Sequence, residues 1–115
     1  MESKELVKIA VNALEEKKAE EISIIDIRGI SVLADYFVVA NAKNQNQLLA
    51  MQDEAEEKLR KAGVEEVRIE GNRSSTWILM DCGDIILHLF SEEDRLFYDL
   101  DRIWQDGKKI SIDEL

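Results

Sequence analysis

The chain of 115 residues contains no proline, one cysteine and one histidine. A single thiol, Cys82, closes no intramolecular disulfide and fits a reducing compartment. One histidine and one cysteine are too few ligands for a structural zinc site. There is no Gly-Lys-Ser/Thr and no Gly-rich stretch of the kind that cradles phosphate. No apolar run approaches the roughly 20 residues of a membrane span. The opening MESKELVKIA carries charges where a secretory signal has an apolar segment. Repeats and low-complexity linkers are missing as well. These absences lead us to expect a soluble, cytoplasmic protein without a metal or cofactor.

Positive charge is the other shortage. Fifteen Lys and Arg face 25 Asp and Glu, for a formal net charge of −10. Phosphate neutralisation needs basic side chains gathered on one face, and here they are scattered among more numerous acids. Direct binding to nucleic acid or to an anionic membrane is therefore not expected, whereas a basic protein partner suits the charge through complementarity. What the chain does have is apolar content, 45%, enough for one domain with a real core. We expect that domain over residues 1–107, with 108–115 as a short tail.

The periodicity predicts a helix from about Lys4 to Lys18, capped by Ser3, with Leu6, Ile9, Ala10, Ala13 and Leu14 as its packing stripe. Ile22–Ile27 and Tyr36–Ala40 read as strands. Asn44 caps a helix to about Lys61, with Gln47 reaching back and Gly63 ending it. Glu66–Glu70 is a further strand. After Phe90, Ser91 caps a helix whose stripe is Leu96, Leu100, Ile103 and Trp104. The order helix, strand, strand, helix, three strands, helix predicts an α/β (α+β) fold: a mixed sheet of about five strands flanked by helices.

The most informative stretch is Thr76–Phe90, TWILMDCGDIILHLF. Two aliphatic runs flank Asp81-Cys82-Gly83-Asp84, which reads as a hairpin turn. With Cys82 and Gly83 as the loop, Asp81 opposes Asp84, Leu79 opposes Ile86 and Trp77 opposes His88. Alternation then puts Ile78, Met80, Ile85, Leu87 and Leu89 on one apolar face. The other face mixes Trp77, Leu79, Asp81, Asp84, Ile86, His88 and Phe90, and is expected to stay partly open. His88 as a catalytic base would need a nucleophile and an orienting acid. Asp81 or Asp84 could orient it, but neither Ser74 nor Ser75 has a nucleophile's context. Asp81 and Asp84 offer a carboxylate pair for Mg²⁺, although aspartates around a turn more commonly bond backbone amides. Trp77 is either an interface anchor or ordinary core beneath a helix. The residues by themselves indicate a binding protein rather than an enzyme.

DYFVVA (Asp35–Ala40), Glu70-Gly71, Trp77, Asp81, Gly83 and Asp84, ILHLF (Ile86–Phe90) and RLFYDLDRIW (Arg95–Trp104) occur in an order and spacing that resembles the ribosomal silencing factor family RsfS, also called Iojap-like. The likeness runs from the first helix to Trp104. One segment departs from the family pattern: Asn41-Ala42-Lys43-Asn44 replaces a small Ser/Thr-Gly turn. The resemblance implies a nucleotidyltransferase-like topology without the catalytic signature. It also implies a factor that binds ribosomal protein L-fourteen of the large subunit and sterically blocks subunit joining, so lowering translation under nutrient limitation. On matched positions it points to Trp77, Leu79, Asp81, Asp84, His88, Arg95 and Tyr98 as partner-binding residues. A homodimer is a further possibility it raises. The alternatives are a degenerate nucleotidyltransferase using Asp81 and Asp84, and a purely homodimeric module.

Overall fold

The computed structural model describes residues 2–71, 74–98 and 108–115, leaving aside the side chains of 96–98. In chain order the elements are α1 (Ser3–Glu16), β1 (Glu20–Asp26), β2 (Tyr36–Ala42), α2 (Gln45–Lys61), β3 (Arg68–Glu70), β4 (Trp77–Asp81), β5 (Ile85–Ser91), α3 (described over Glu92–Tyr98) and β6 (Lys108–Ile110). The strands form one six-stranded sheet in the order β3-β4-β5-β2-β1-β6. Only the central pair, β2 and β5, runs parallel; every other neighbouring pair is antiparallel. The expected mixed sheet is thus present with one strand more than anticipated. Lys108–Ile110, read from sequence as tail, pairs with β1 through Ile24↔Ile110 and Asp26↔Lys108. Three residues with a single apolar member carry too little alternation to register as a strand.

Helices α1 and α2 cover one sheet face. Leu6, Ala10, Ala13 and Leu14 of α1 and Leu48, Met51, Ala55 and Leu59 of α2 pack against Val38, Ala40, Ile78, Met80, Leu87 and Leu89, forming the larger core. The all-aliphatic face of the hairpin lies inside it, as expected. The opposite face holds a second, smaller core of Ile25, Ile27, Ala34, Phe37, Val39, Ile86 and Phe90.

Local signals acted where chemistry favoured them. Asn44 caps α2: its side chain accepts from the Gln47 N–H at 2.8 Å. The Gln47 carboxamide reaches back to the Lys43 N–H, at 2.7 Å. Ser91 caps α3, its hydroxyl accepting from the Asp94 N–H at 3.1 Å. Ser3 does not cap α1. Glu2 occupies the cap position without a side-chain hydrogen bond, and Ser3 lies inside the helix. The expected run of the last helix to Trp104, and its packing stripe, lies outside the described residues.

The hairpin register is two residues away from the expected one. Trp77 pairs with Phe90, Leu79 with His88 and Asp81 with Ile86. The Cys82 N–H bonds the Ile85 carbonyl at 3.0 Å, so Gly83 and Asp84 form the loop. Gly83 has φ +86°, and glycine at the first loop position is what a type II′ turn asks for. A two-residue slip preserves side-chain alternation, so both faces keep their predicted members. Asn44→Ala should cost about 1 kcal/mol in urea denaturation, whereas Ser3→Ala should leave the midpoint almost unchanged because no bond is lost.

Candidate functional site

The mixed face of the hairpin was expected to be open. It is mostly closed: His88 is 5% exposed and Phe90 0%. Both sit on β5, a central strand, so the second core forms over them. Their rings make a stack with Trp77. The indole lies on the Phe90 ring at 5.1 Å between centroids and 27° between planes. Phe37 meets the His88 ring edge-on at 4.8 Å. The Trp77 Nε1–H donates to His88 Nδ1 at 3.3 Å. An indole nitrogen only donates, so Nδ1 must be unprotonated and the neutral ring carries its proton on Nε2. Nε2 has no partner among the described residues and is buried. Burial pushes the imidazole pKa down to about 4. His88 is therefore a neutral packing residue that holds the indole, not a contact on an open face. The physical reason is that a partner cannot reach a side chain this deeply covered.

What remains accessible is the rim. Trp77, Leu79 and Asp81, one side of β4, are each half-buried. Trp77 and Leu79 share a cleft of about 210 Å³ with Glu70 and Gly71 at the outer end of β3. Gly71 has φ +126°, and a Cβ there would meet Ile78 Cγ1 and the Trp77 carbonyl at 3.3 Å. Glycine alone allows so close a passage of β3 over β4. At the other end of β4, Asp81 Oδ1 accepts from the Gly83 N–H at 3.0 Å, which braces the turn. The Asp84 side chain is exposed, and its carbonyl accepts from the Asp35 N–H at 2.7 Å. Cys82, beside them, is buried, which pushes its thiol up to about 12 and leaves it unreactive.

Arg95 reaches away from the cleft. Its guanidinium donates to Asn41 Oδ1 at 3.0 Å, to Ser23 Oγ at 2.9 Å and to the Glu21 carbonyl. It ties α3 to β1 and β2 at a strained point, for Glu21 has φ +53°. This bracing role was missed from sequence, because Arg95 lies 54 residues from Asn41 and 72 from Ser23. The Tyr98 side chain lies outside the described residues. Of the seven site residues expected, the structure gathers Trp77, Leu79 and Asp81 along one strand with Asp84 at its turn. His88 lies beneath them and Arg95 to one side.

The same fold is found in a crystallised protein from Chromobacterium violaceum. The two superpose with a TM-score of 0.88 at 34% identity, over 96% of this chain and 92% of that one. The chain belongs to the ribosomal silencing factor family: the model described as "Ribosomal silencing factor during starvation" matches residues 1–115. Among relatives named Ribosomal silencing factor RsfS, that of Halalkalibacterium halodurans is 33% identical over 113 residues, covering 98% of this chain and 97% of its own. That of Bacillus subtilis is also 33% identical, with 98% and 96% coverage. These relatives carry the name of regulators rather than of enzymes.

The neutral His88 has a measurable consequence. Its pKa is about 6.5 when unfolded and about 4 when folded, so the unfolded chain binds the extra proton. Stability is full above pH 6.5 and is lost as pH falls towards 4, by on the order of 3 kcal/mol. Between pH 6.5 and 5 most carboxylates stay ionised, so denaturant midpoints should fall in wild type and stay level in His88→Gln. Equal slopes in the two proteins would contradict this assignment.

Proposed function

We propose that this chain binds ribosomal protein L-fourteen on the large ribosomal subunit in the cytoplasm and blocks docking of the small subunit by occupying its face. The family match across residues 1–115 carries this reading. The rim of β4 supplies a contact surface of fitting chemistry. Trp77 and Leu79 stand half-exposed beside the Glu70–Gly71 cleft, in the position of apolar anchors. Asp81 and Asp84 serve as acceptors for Lys or Arg of the partner. A large aromatic held by stacking loses little freedom on binding, as interface anchors require. The net charge of −10 favours encounter with a basic ribosomal protein and disfavours bare rRNA. His88, Phe90 and Arg95 act indirectly by fixing the sheet that presents Trp77.

Sucrose-gradient sedimentation with purified large subunits tests the reading. Wild type should travel with the large subunit and reduce the yield of joined ribosomes. Trp77→Ala and Leu79→Glu should each weaken binding by about tenfold or more. Leu79→Glu removes no aromatic stacking, so it separates lost contact from lost folding. Wild type remaining at the top of the gradient would end the reading.

A further inference from the structure

Between β1 and β2 the chain exposes apolar residues in series: Ile30 is 44% exposed, Leu33 67%, and Val32 fully. These are the exposed large hydrophobics among the described residues. Their loop is well anchored. At its base the Ile27 N–H bonds the Asp35 carbonyl at 3.0 Å, and the Asp35 N–H bonds Asp84 at 2.7 Å. Arg28 grips both carboxylate oxygens of Asp26 at 3.0 and 2.7 Å. The Leu33 N–H donates to Ser31 Oγ at 3.0 Å. Ile27 and Ala34, at either end, are buried in the second core. Apolar side chains on a fixed backbone lose less entropy on binding than those on a free loop.

We infer that the Ile30–Leu33 loop is a second contact of the same docking surface, inserting Val32 and Leu33 into an apolar recess on a basic protein. This rests on the proposed binding to the large subunit and extends it to residues outside the family motif. Leu33 lines a cleft of about 270 Å³ with Asp81, Gly83, Glu66 and Arg68, so the loop is continuous with the β4 rim through Asp81. The charges around the tip select the occupant. Asp81 and Asp84 lie beside the loop, while Arg28 and Arg68 are each ion-paired within the chain, to Asp26 and Glu66. An apolar tip beside carboxylates, with its cations already paired, suits a basic protein surface. A second copy bearing the same charge of −10, a nucleic acid or an anionic membrane offers no such charge complement.

The test titrates purified large subunits with wild type and with the Val32→Ser/Leu33→Ser double variant, at low and at physiological salt. Val32→Glu, at a fully exposed site, repeats it with least risk to folding, and thermal midpoints verify each variant. The double variant should bind about tenfold or more weakly than wild type with its midpoint unchanged. Equal affinities of wild type and both variants would overturn the inference and leave the proposed function standing. A wild type that fails to bind would overturn the proposed function and this inference together. A wild-type dimer that the double variant loses in light scattering, without loss of subunit binding, would assign the loop to self-association and overturn it too.

Discussion

The structure depends on the parallel pairing of β2 with β5 at the centre of the sheet. Parallel neighbours cannot be joined by a tight turn; β4 and β1 cover the two edges of this pair, and a core lies on each of its faces. Every residue of β2 is buried, and of β5 all but Ser91. Helices α1 and α2 fill one face. The other must be filled as well, and Phe37, Val39, Ile86 and Phe90 do so with a neutral histidine among them. A partner therefore cannot meet the middle of this sheet. What this side of the sheet leaves half-exposed is its rim, where β4 holds Trp77 and Leu79 beside a three-residue edge strand.

That constraint explains which parts of the molecule were legible in the sequence. The helix α2 with its Asn44 cap, the strand YFVVA and the two faces of the hairpin follow from local patterns, and each formed. The hairpin register did not follow, because Asp81-Cys82-Gly83-Asp84 accommodates two alternative two-residue loops. Alternation is blind to a slip of two. The openness of the mixed face was misjudged for a different reason. A strand bearing His88 between Leu87 and Leu89 has the same pattern whether its second face meets solvent or another layer, and only the strand order places it in the centre. Nor does the sequence show that Arg95 braces Ser23 and Asn41, since those contacts arise only when α3 folds back on the sheet. The exposed Ile30, Val32 and Leu33 had a signal of their own: apolar residues in a segment assigned to no element, between Arg28-Gly29 and Asp35.

Several of the titratable groups hold the fold. Asp26 is held below the usual carboxylate range, chiefly by its hydrogen bond with Arg28. Asp81 braces its turn and His88 accepts a hydrogen bond from the indole N–H. Asp26, Asp81 and His88 thus each have a structural duty in view. Asp84, exposed at the hairpin tip, retains a carboxylate directed at solvent. Together with Asp81 it gives the rim the sign of charge that the proposed basic partner requires, and the apolar anchors beside it give the contact its area.

The central claim, that the β4 rim faces a protein of the large subunit, is tested most directly by photo-crosslinking from position 79. A benzoylphenylalanine replacing Leu79, irradiated in complex with purified large subunits, should join the chain to one ribosomal protein, identified by mass spectrometry as L-fourteen. Crosslinks confined to rRNA, or to a second copy of the chain, would contradict the account.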